Sequence, residues 1–498
     1  MTGSIYEYIK SSVSGGRLPK GFELPAADGK GERIRFIPGG EDGVAVFHFG
    51  VEEISAEDSG LAAEVVNAAA DGDNELAEKL LLRLGQSARA ISGIDSLQQY
   101  IFENRETLSA NNVFRFAYKI LTESGDTESV KYALVIMEMF PGVEAVKDIV
   151  RTLGLYEEFT LFALYVVRHW ENGNDEIFSL ARNTCGWGRI FAVQQLEPQT
   201  EEIREWLFRE GVHNTVMPAY SALDCWYKSE AEQRLNGYVS RDIFTSLRDI
   251  FGGLLDEGPS EGISALENAN ELIERFLSCA GKMSLTIEDL RVIFDIYNHY
   301  DGADEPPEYP ERAEKIKAAC RELLESHDSR REVIVSVQNG RDFELAKFLG
   351  VDCREPVMRL LREDFVKNCA YCCGKVMYDP DCRREIISLC RQRLPLTEMR
   401  AAPTTSLGLG LRYRNESCLE YVVQELGKYP LEGSDLIETA LQCAPVRTRH
   451  LALRALESWV KIKKQPLSAL LPDIYKLLPR LRNNEPDAGV CEKMDALL

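Results

Sequence analysis

Small residues recur at a nearly constant interval in four apolar helical stretches. They are Ala133 in YALVIMEMF, Ala163 in FALYVVRHW, Ala192 in FAVQQLEPQ and Ala222 in SALDCWYKS, spaced 30, 29 and 30 residues apart. A second helical pattern lies between each pair. A fixed period of this size predicts a stack of supersecondary units, none of which can bury both faces alone. A two-helix unit of this length predicts an all-α fold, a HEAT/armadillo-like α-solenoid. An alanine at the repeating position removes the side-chain spacer between neighbouring helices and lets their backbones approach.

The stretch from Thr184 to Trp226 states the pattern most fully. Thr200, followed by Glu201 and Glu202, has the form of a helix start, with a capping hydroxyl and acids that oppose the dipole. Ile203, Trp206 and Leu207 then fall on one face, and Gly211 is predicted to supply a left-handed stop. Upstream, Trp187, Ile190, Phe191, Val193 and Leu196 form a broad apolar stripe.

Residues 1–55 differ from the rest. Ile5 to Val13 predicts a short helix ended by Gly15-Gly16, and Asp71-Gly72-Asp73 further on predicts a turn with a cap. Arg33 to Ile37 and Val44 to Phe49 alternate polar and apolar residues around PGGEDG, which predicts a β-hairpin. The expected organisation is an N-terminal α/β cap with this hairpin over 1–55 and a helical repeat array over 56–257. A helical middle region with degenerate repeats follows over 258–400, then C-terminal helical repeats over 401–498. In the last segment Val422 and Ala452 are again 30 apart, as are Leu426 and Leu456. Asp256 to Gly262 and the acidic DGADEPPEYP at 301–310 are the punctuations. The β-branched run REVIVSV at 331–337 reads as the buried start of a helix.

The net charge of −22 weighs against nucleic acid, whose phosphates need clustered Lys and Arg. From Arg400 to the end there are 14 Lys and Arg against 12 Asp and Glu, so the first 399 residues hold −24. Such a surface favours a basic protein or peptide partner. No run of 18 apolar residues exists, so no membrane span is expected. The N-terminus lacks the apolar core of a secretory signal, and 13 cysteines, an odd number, fit a reducing compartment. The expected location is the cytoplasm.

Few motifs carry chemistry. Cys369, Cys372, Cys382 and Cys390 have the donor count of a zinc site, yet Phe365, Cys369, Cys372, Cys373 and Val376 also follow the spacing of one buried helix face. Gly258-Pro259-Ser260-Glu261-Gly262 matches the G-x-S-x-G string, but without the strand that a nucleophile elbow requires. In Cys185-Gly186-Trp187-Gly188-Arg189, one reading makes Cys185 a nucleophile, with His169 or His213 as base and Arg189 as an anion contact. The other has Gly186 ending a helix, Gly188 allowing close approach, Trp187 as a core anchor and Arg189 bound to carbonyls or a carboxylate. The six histidines include no i, i+4 pair and no H-E-x-x-H, and Gly408-x-Gly410 lacks the third glycine of a dinucleotide loop. Arg447, Arg449, His450, Arg454, Lys461, Lys463 and Lys464 form a basic set, read as a solvated helix face or an anion patch.

Three stretches carry a resemblance: IYEYIK…GRLPKGFELP, RIRF…GVAVFHFG and TCGWGRIFAVQQLEPQTEEIREWLFREG. With them the chain resembles a bacterial helical-repeat family of uncharacterised proteins, some of whose members are labelled limonene hydroxylase. The resemblance covers the first half best and fades beyond Asp256. Its label implies a monooxygenase, and it carries no catalytic residue onto this sequence. The sequence shows no haem-thiolate loop, flavin-binding glycine motif or iron-ligand set.

The reading is therefore an intracellular protein-interaction scaffold of the helical-repeat type, with no catalysis, cofactor or metal expected. The alternative is an enzyme or small-molecule binder using Cys185 to Arg189, a monooxygenase by the family label.

Overall fold

The computed structural model describes residues 3–25, 36–258, 260–302 and 310–498. The chain divides into two compact units, Met1–Leu323 and Leu324–Leu498. Among the described residues every regular element is helical, and strand-like pairing is confined to two isolated bridges, Ser14 with Arg17 and Arg400 with Cys443. No helix among them is long and apolar enough to cross a membrane.

The first unit begins with α1 (Ile5–Ser12), capped by the Ser4 hydroxyl, and α2 (Gly40–Val44), which runs into a π-helical turn at Ala45–Phe49. The helices α3 (Ala56–Asp71), α4 (Asn74–Ser87), α5 (Ala90–Glu103), α6 (Ala110–Glu123) and α7 (Thr127–Glu138) follow. Then come α8 (Glu144–Gly154), α9 (Glu157–Val167), α10 (Gly173–Asn183), α11 (Trp187–Gln195), α12 (Glu201–Trp206) and α13 (Ala219–Lys228). The helices α14 (Ala231–Asn236), α15 (Arg241–Leu255), α16 (Ala269–Ala280) and α17 (Ile287–Asp301) complete the set used below.

Odd-numbered helices form a row: α3 packs on α5, α5 on α7, and so on in succession to α15 on α17. Even-numbered α4, α8 and α10 each lie against a neighbour in that row. Ala133, Ala163, Ala192 and Ala222 sit one each on α7, α9, α11 and α13, and all four are fully buried. The small position continues as Gly253 on α15, where an added Cβ would fall 2.8 Å from the Ala222 Cβ. Gly154 of α8 likewise leaves only 2.9 Å between an added Cβ and the Ala163 Cβ. Large side chains fill the remaining space: Phe159, Phe162, Phe191, Phe244 and Phe251 are fully buried, each stabilising the fold by about 1.5–3 kcal/mol relative to exposure.

Local signals act as the residues dictate. Thr200 accepts from the Ile203 amide at 3.2 Å, and Asp73 caps α4 by accepting from Leu76 at 3.1 Å after Gly72 turns the chain at φ +84°. Three details differ from expectation. Val44 to Phe49, expected as the second hairpin strand, is helical, and the turn lays Phe47 on Trp187, Phe191 and Tyr220 of the helix row. Arg33 to Arg35, most of the first expected strand, lie outside the described residues. Gly211 is not a left-handed stop; it closes a π-helical turn at Leu207–Gly211, and its missing side chain makes room for the Cys225 Sγ, 2.7 Å from an added Cβ. Gly186 precedes α11 as its N-cap rather than ending a helix.

In the second unit the helices Arg414–Leu426 and Val446–Lys463 pack together. Val422, Leu426, Ala452 and Leu456 are fully buried, and the Trp459 indole donates to the Leu426 carbonyl at 2.7 Å. Two buried arginines brace the unit. Arg383 donates to the Met377 carbonyl and pairs with both oxygens of Glu432; Arg449 donates to the Cys443 and Thr404 carbonyls and pairs with Glu485. REVIVSV lies inside the helix His327–Gln338, which starts earlier than expected because Ser326 caps it; Val333 and Val337 are buried, while Ile334 and Val335 are exposed.

Candidate functional site

The residues from Phe36 to Glu53 lie against the row of odd-numbered helices, and three local devices hold them there. The first is electrostatic. Lys131, in the apolar run VKYALVIM of α7, is fully buried, with its Nζ 2.8 Å from Asp42, 2.5 Å from Glu158 and 3.1 Å from Glu128. Arg89 closes on the other Asp42 oxygen, and the Nζ lies 5.6 Å from the Phe162 ring centroid. Burial alone would lower the Lys131 pKa, but Glu128, Glu158 and Asp42 outweigh it and hold the ammonium above the ordinary lysine value. Glu128 is raised by burial against the pull of Lys131, and its carboxylate also accepts from the Ala90 amide at 2.7 Å.

The second device is backbone shape. Gly39, at φ +72°, donates its amide to Glu158 at 2.7 Å. Gly43 lies on the Trp187 indole so closely that a Cβ would fall 2.3 Å from its ring; only glycine fits there. The third is aromatic. Phe47 stands 4.9 Å from the Tyr220 ring and 5.8 Å from Trp187, and the His48 Nε2 lies 2.6 Å from the Tyr220 hydroxyl.

Beyond Phe47 the segment leaves two adjoining cavities against α5, of about 380 and 390 Å³. Val51, Glu52, Ile91 and Ser92 line both. Glu53, Asp95 and Tyr165 extend one, and Phe36, Glu41 and Phe49 the other. Phe49 is 83% exposed and Val51 is partly so. Apolar side chains and carboxylates thus share one surface with two guanidinium groups: Arg89 lines one cavity, 3.9 Å from Glu41, and Arg168 the other, paired with Glu138 at 2.6 Å.

The other sequence candidates resolve as follows. The Cys185 and Gly186 amides donate to Glu157 at 3.1 and 2.6 Å, and the Cys185 Sγ lies 3.3 Å from the same oxygen. Burial, and then the Glu157 charge, raise that thiol above its ordinary value, the reverse of what a resting thiolate needs. Arg189 donates to the Thr184 and His213 carbonyls, Trp187 is buried, and Gly188 packs on Thr160, where a Cβ would fall 2.6 Å from its hydroxyl. The imidazole of His213 faces Asp249 at 3.0 Å, and that of His169 faces Glu138 at 3.1 Å. Neither is a hydrogen-bond partner of Cys185.

Ser260 donates to the Ala219 carbonyl at 2.8 Å, in a loop; Pro259 lies outside the described residues. Cys369, Cys372 and Cys373 do not share one helix, because the chain breaks into a short helix, a 3-10 turn and Gly374 at φ +57°. Cys369, Cys372 and Cys390 are nonetheless buried, Cys373 is exposed, Cys382 is half-buried, and all are free thiols. Burial pushes the Cys390 thiol up to about 12. Among the described residues no group of three or more His, Cys, Asp or Glu is placed to hold a metal ion. Within the basic set, Arg449 is not solvated; it is buried against Glu485, and Arg447 pairs with Glu420 at 2.6 Å.

Sequence reasoning missed Asp42, Gly43, Phe47, Lys131 and Glu158. One signal was available: a lysine inside an eight-residue run whose other members are all apolar or tyrosine predicts a buried charge with a partner. No family model matches the chain, nor does any curated protein or solved structure.

Proposed function

We propose that the chain is a protein-interaction scaffold, its first unit a HEAT/armadillo-like α-solenoid that receives a basic, apolar-anchored peptide segment. The observation that carries the reading is the face formed by residues 36–53 on the odd-numbered helices. There Phe49 and Val51 supply exposed apolar contact, and Glu52, Glu53 and Asp95 supply negative charge beyond that of Glu41 and Glu138, which face the lining arginines Arg89 and Arg168. Successive packing of α3 through α17 supports an extended surface, which is what stacked helix pairs offer. The charge of −24 over the first 399 residues supports long-range attraction of a cationic segment, weakened by salt.

The test is a titration of the full chain with a labelled peptide of alternating leucine and arginine, against one of alternating leucine and glutamate. The reading expects binding of the first alone, strongest at low salt and lost in a Glu52→Lys/Glu53→Lys/Asp95→Lys variant. Equal binding of both peptides, or binding indifferent to those substitutions, overturns it.

A further inference from the structure

The second unit carries an apolar protrusion that nothing in that unit covers. In Ser406-Leu-Gly-Leu-Gly-Leu-Arg412, the side chains of Leu407, Leu409 and Leu411 are 59%, 66% and 90% exposed. The backbone beneath is pinned. The Ala401 and Thr404 amides donate to the Gln442 and Ala444 carbonyls, each at 3.0 Å, and the Val446 amide donates to the Ser406 carbonyl at 2.9 Å. Gly408, at φ +73°, packs on Pro445, where a Cβ would fall 2.5 Å away, and the 3-10 turn Leu411–Tyr413 ends on a buried tyrosine. A loop held at both ends presents its leucines with little ordering left to be lost on binding, which favours association.

Charge selects the partner. Residues 399–415 hold Arg400, Arg412 and Arg414 and no acidic residue. The second unit has 27 Lys and Arg against 25 Asp and Glu, a net +2; the first has 31 against 55, a net −24. The cavities beside Val51 and Glu52 carry Glu41, Glu52, Glu53, Asp95 and Glu138 against Arg89 and Arg168, an acidic excess that complements this loop. Leu409 and Leu411 flank Gly410, at φ +93°, so two exposed leucines stand close together on the loop, one for each of two adjoining cavities.

We propose that the occupant of the acidic face is the 406–414 loop of a second copy of this chain, a proposal that rests on the reading of that face given above. Leu409 and Leu411 enter the cavities flanking Val51, and Arg412 and Arg414 meet Glu52, Glu53 and Asp95. Such a contact joins two different surfaces, so each copy keeps one of each for the next, and association closes into a ring or continues as an open chain.

Sedimentation velocity of the full chain at rising concentration, in low and high salt, tests this. Wild type is expected to associate beyond two copies at low salt. Leu409→Asp/Leu411→Asp and Glu52→Lys/Glu53→Lys should each weaken association by at least about tenfold. Both substitute exposed side chains, and circular dichroism should show each folded. Mixed in equal amounts, the two variants should form a complex that stops at two copies, because only one intact pair of surfaces remains. A wild type that stays monomeric, variants that associate as wild type does, or a mixture with no complex each overturn the proposal. The leucine–arginine peptide separates the two readings. Its binding to a wild type that stays monomeric overturns self-association alone, whereas its failure to bind overturns the acidic face as well.

Discussion

Lys131 and Asp42 are 89 residues apart in the chain, yet their charged atoms meet at 2.8 Å with each side chain only 2% exposed. This contact fastens the N-terminal segment to the helix row. It is built where water is excluded, so each charge depends on the other. Lys131→Met leaves Asp42 buried beside one remaining cation, Arg89, and should destabilise the chain by about 3–5 kcal/mol. Asp42→Asn in the same background should recover part of that loss. Urea unfolding of both variants and of Asp42→Asn alone measures the coupling; a double loss equal to the sum of the single losses would show that the two residues act independently.

The small residues of the row make an opposed pair of predictions. Gly253→Ala forces a methyl to within 2.8 Å of the Ala222 Cβ and 3.2 Å of the Pro218 backbone, and overpacking of this kind costs about 1–3 kcal/mol. Gly60 also lies within a helix, α3, but an added Cβ there meets nothing within 4 Å. Gly60→Ala should therefore stabilise by about 0.5–1 kcal/mol. Thermal unfolding of the two variants should move in opposite directions.

Docking of residues 36–49 has an optical readout. Trp187 is buried under Gly43 and Phe47. Phe47→Ala with Asp42→Ala removes an aromatic and an ionic contact on the same segment, and Trp187 should become wetter. A red shift of emission is expected in the variant, absent when Trp187→Phe is added. Unchanged emission would show that the segment does not need these two residues.

The pair His213 and Asp249 predicts a pH dependence. The hydrogen bond to Asp249 raises the imidazole above its ordinary value, more than burial lowers it. The folded state thus binds the proton more tightly than the unfolded chain does. The resulting stabilisation is complete below the unfolded value, about 6.5. It is lost as pH rises through the higher folded value. His213→Gln should flatten this part of the stability profile, read from melting temperatures between about pH 5 and pH 9.

Cys185 is exposed, but its partial burial and the adjacent Glu157 charge raise its pKa. Alkylation by iodoacetamide near neutral pH should be slower than for an ordinary exposed thiol, and Glu157→Gln should quicken it. A rate unchanged by that substitution would remove Glu157 as a cause.

The sequence by itself determined the helical character and the spacing of the row. Apolar side chains at helical intervals, capping residues such as Thr200 and Asp73, and the alanines from 133 to 222 are local facts, and local propensity is written in neighbouring residues. Even here, Gly253 continued the small position unread, because glycine inside a helix looks like a weak point until its opposite number, Ala222, is in place. Only the tertiary structure decided what the N-terminal segment does. The residues of Val44 to Phe49 alternate as a strand would, yet they turn as helix, because packing on Trp187, Tyr220 and the α7–α9 charges outweighs a weak intrinsic preference for strand. The partners Asp42, Lys131 and Glu158 were beyond a reading along the chain. A buried lysine announces that some carboxylate must face it, but which one depends on helices brought together by burial, across 89 residues for Asp42 and 27 for Glu158. Burial is non-directional, so the hydrophobic pattern that assembles the row does not say which charges it will enclose.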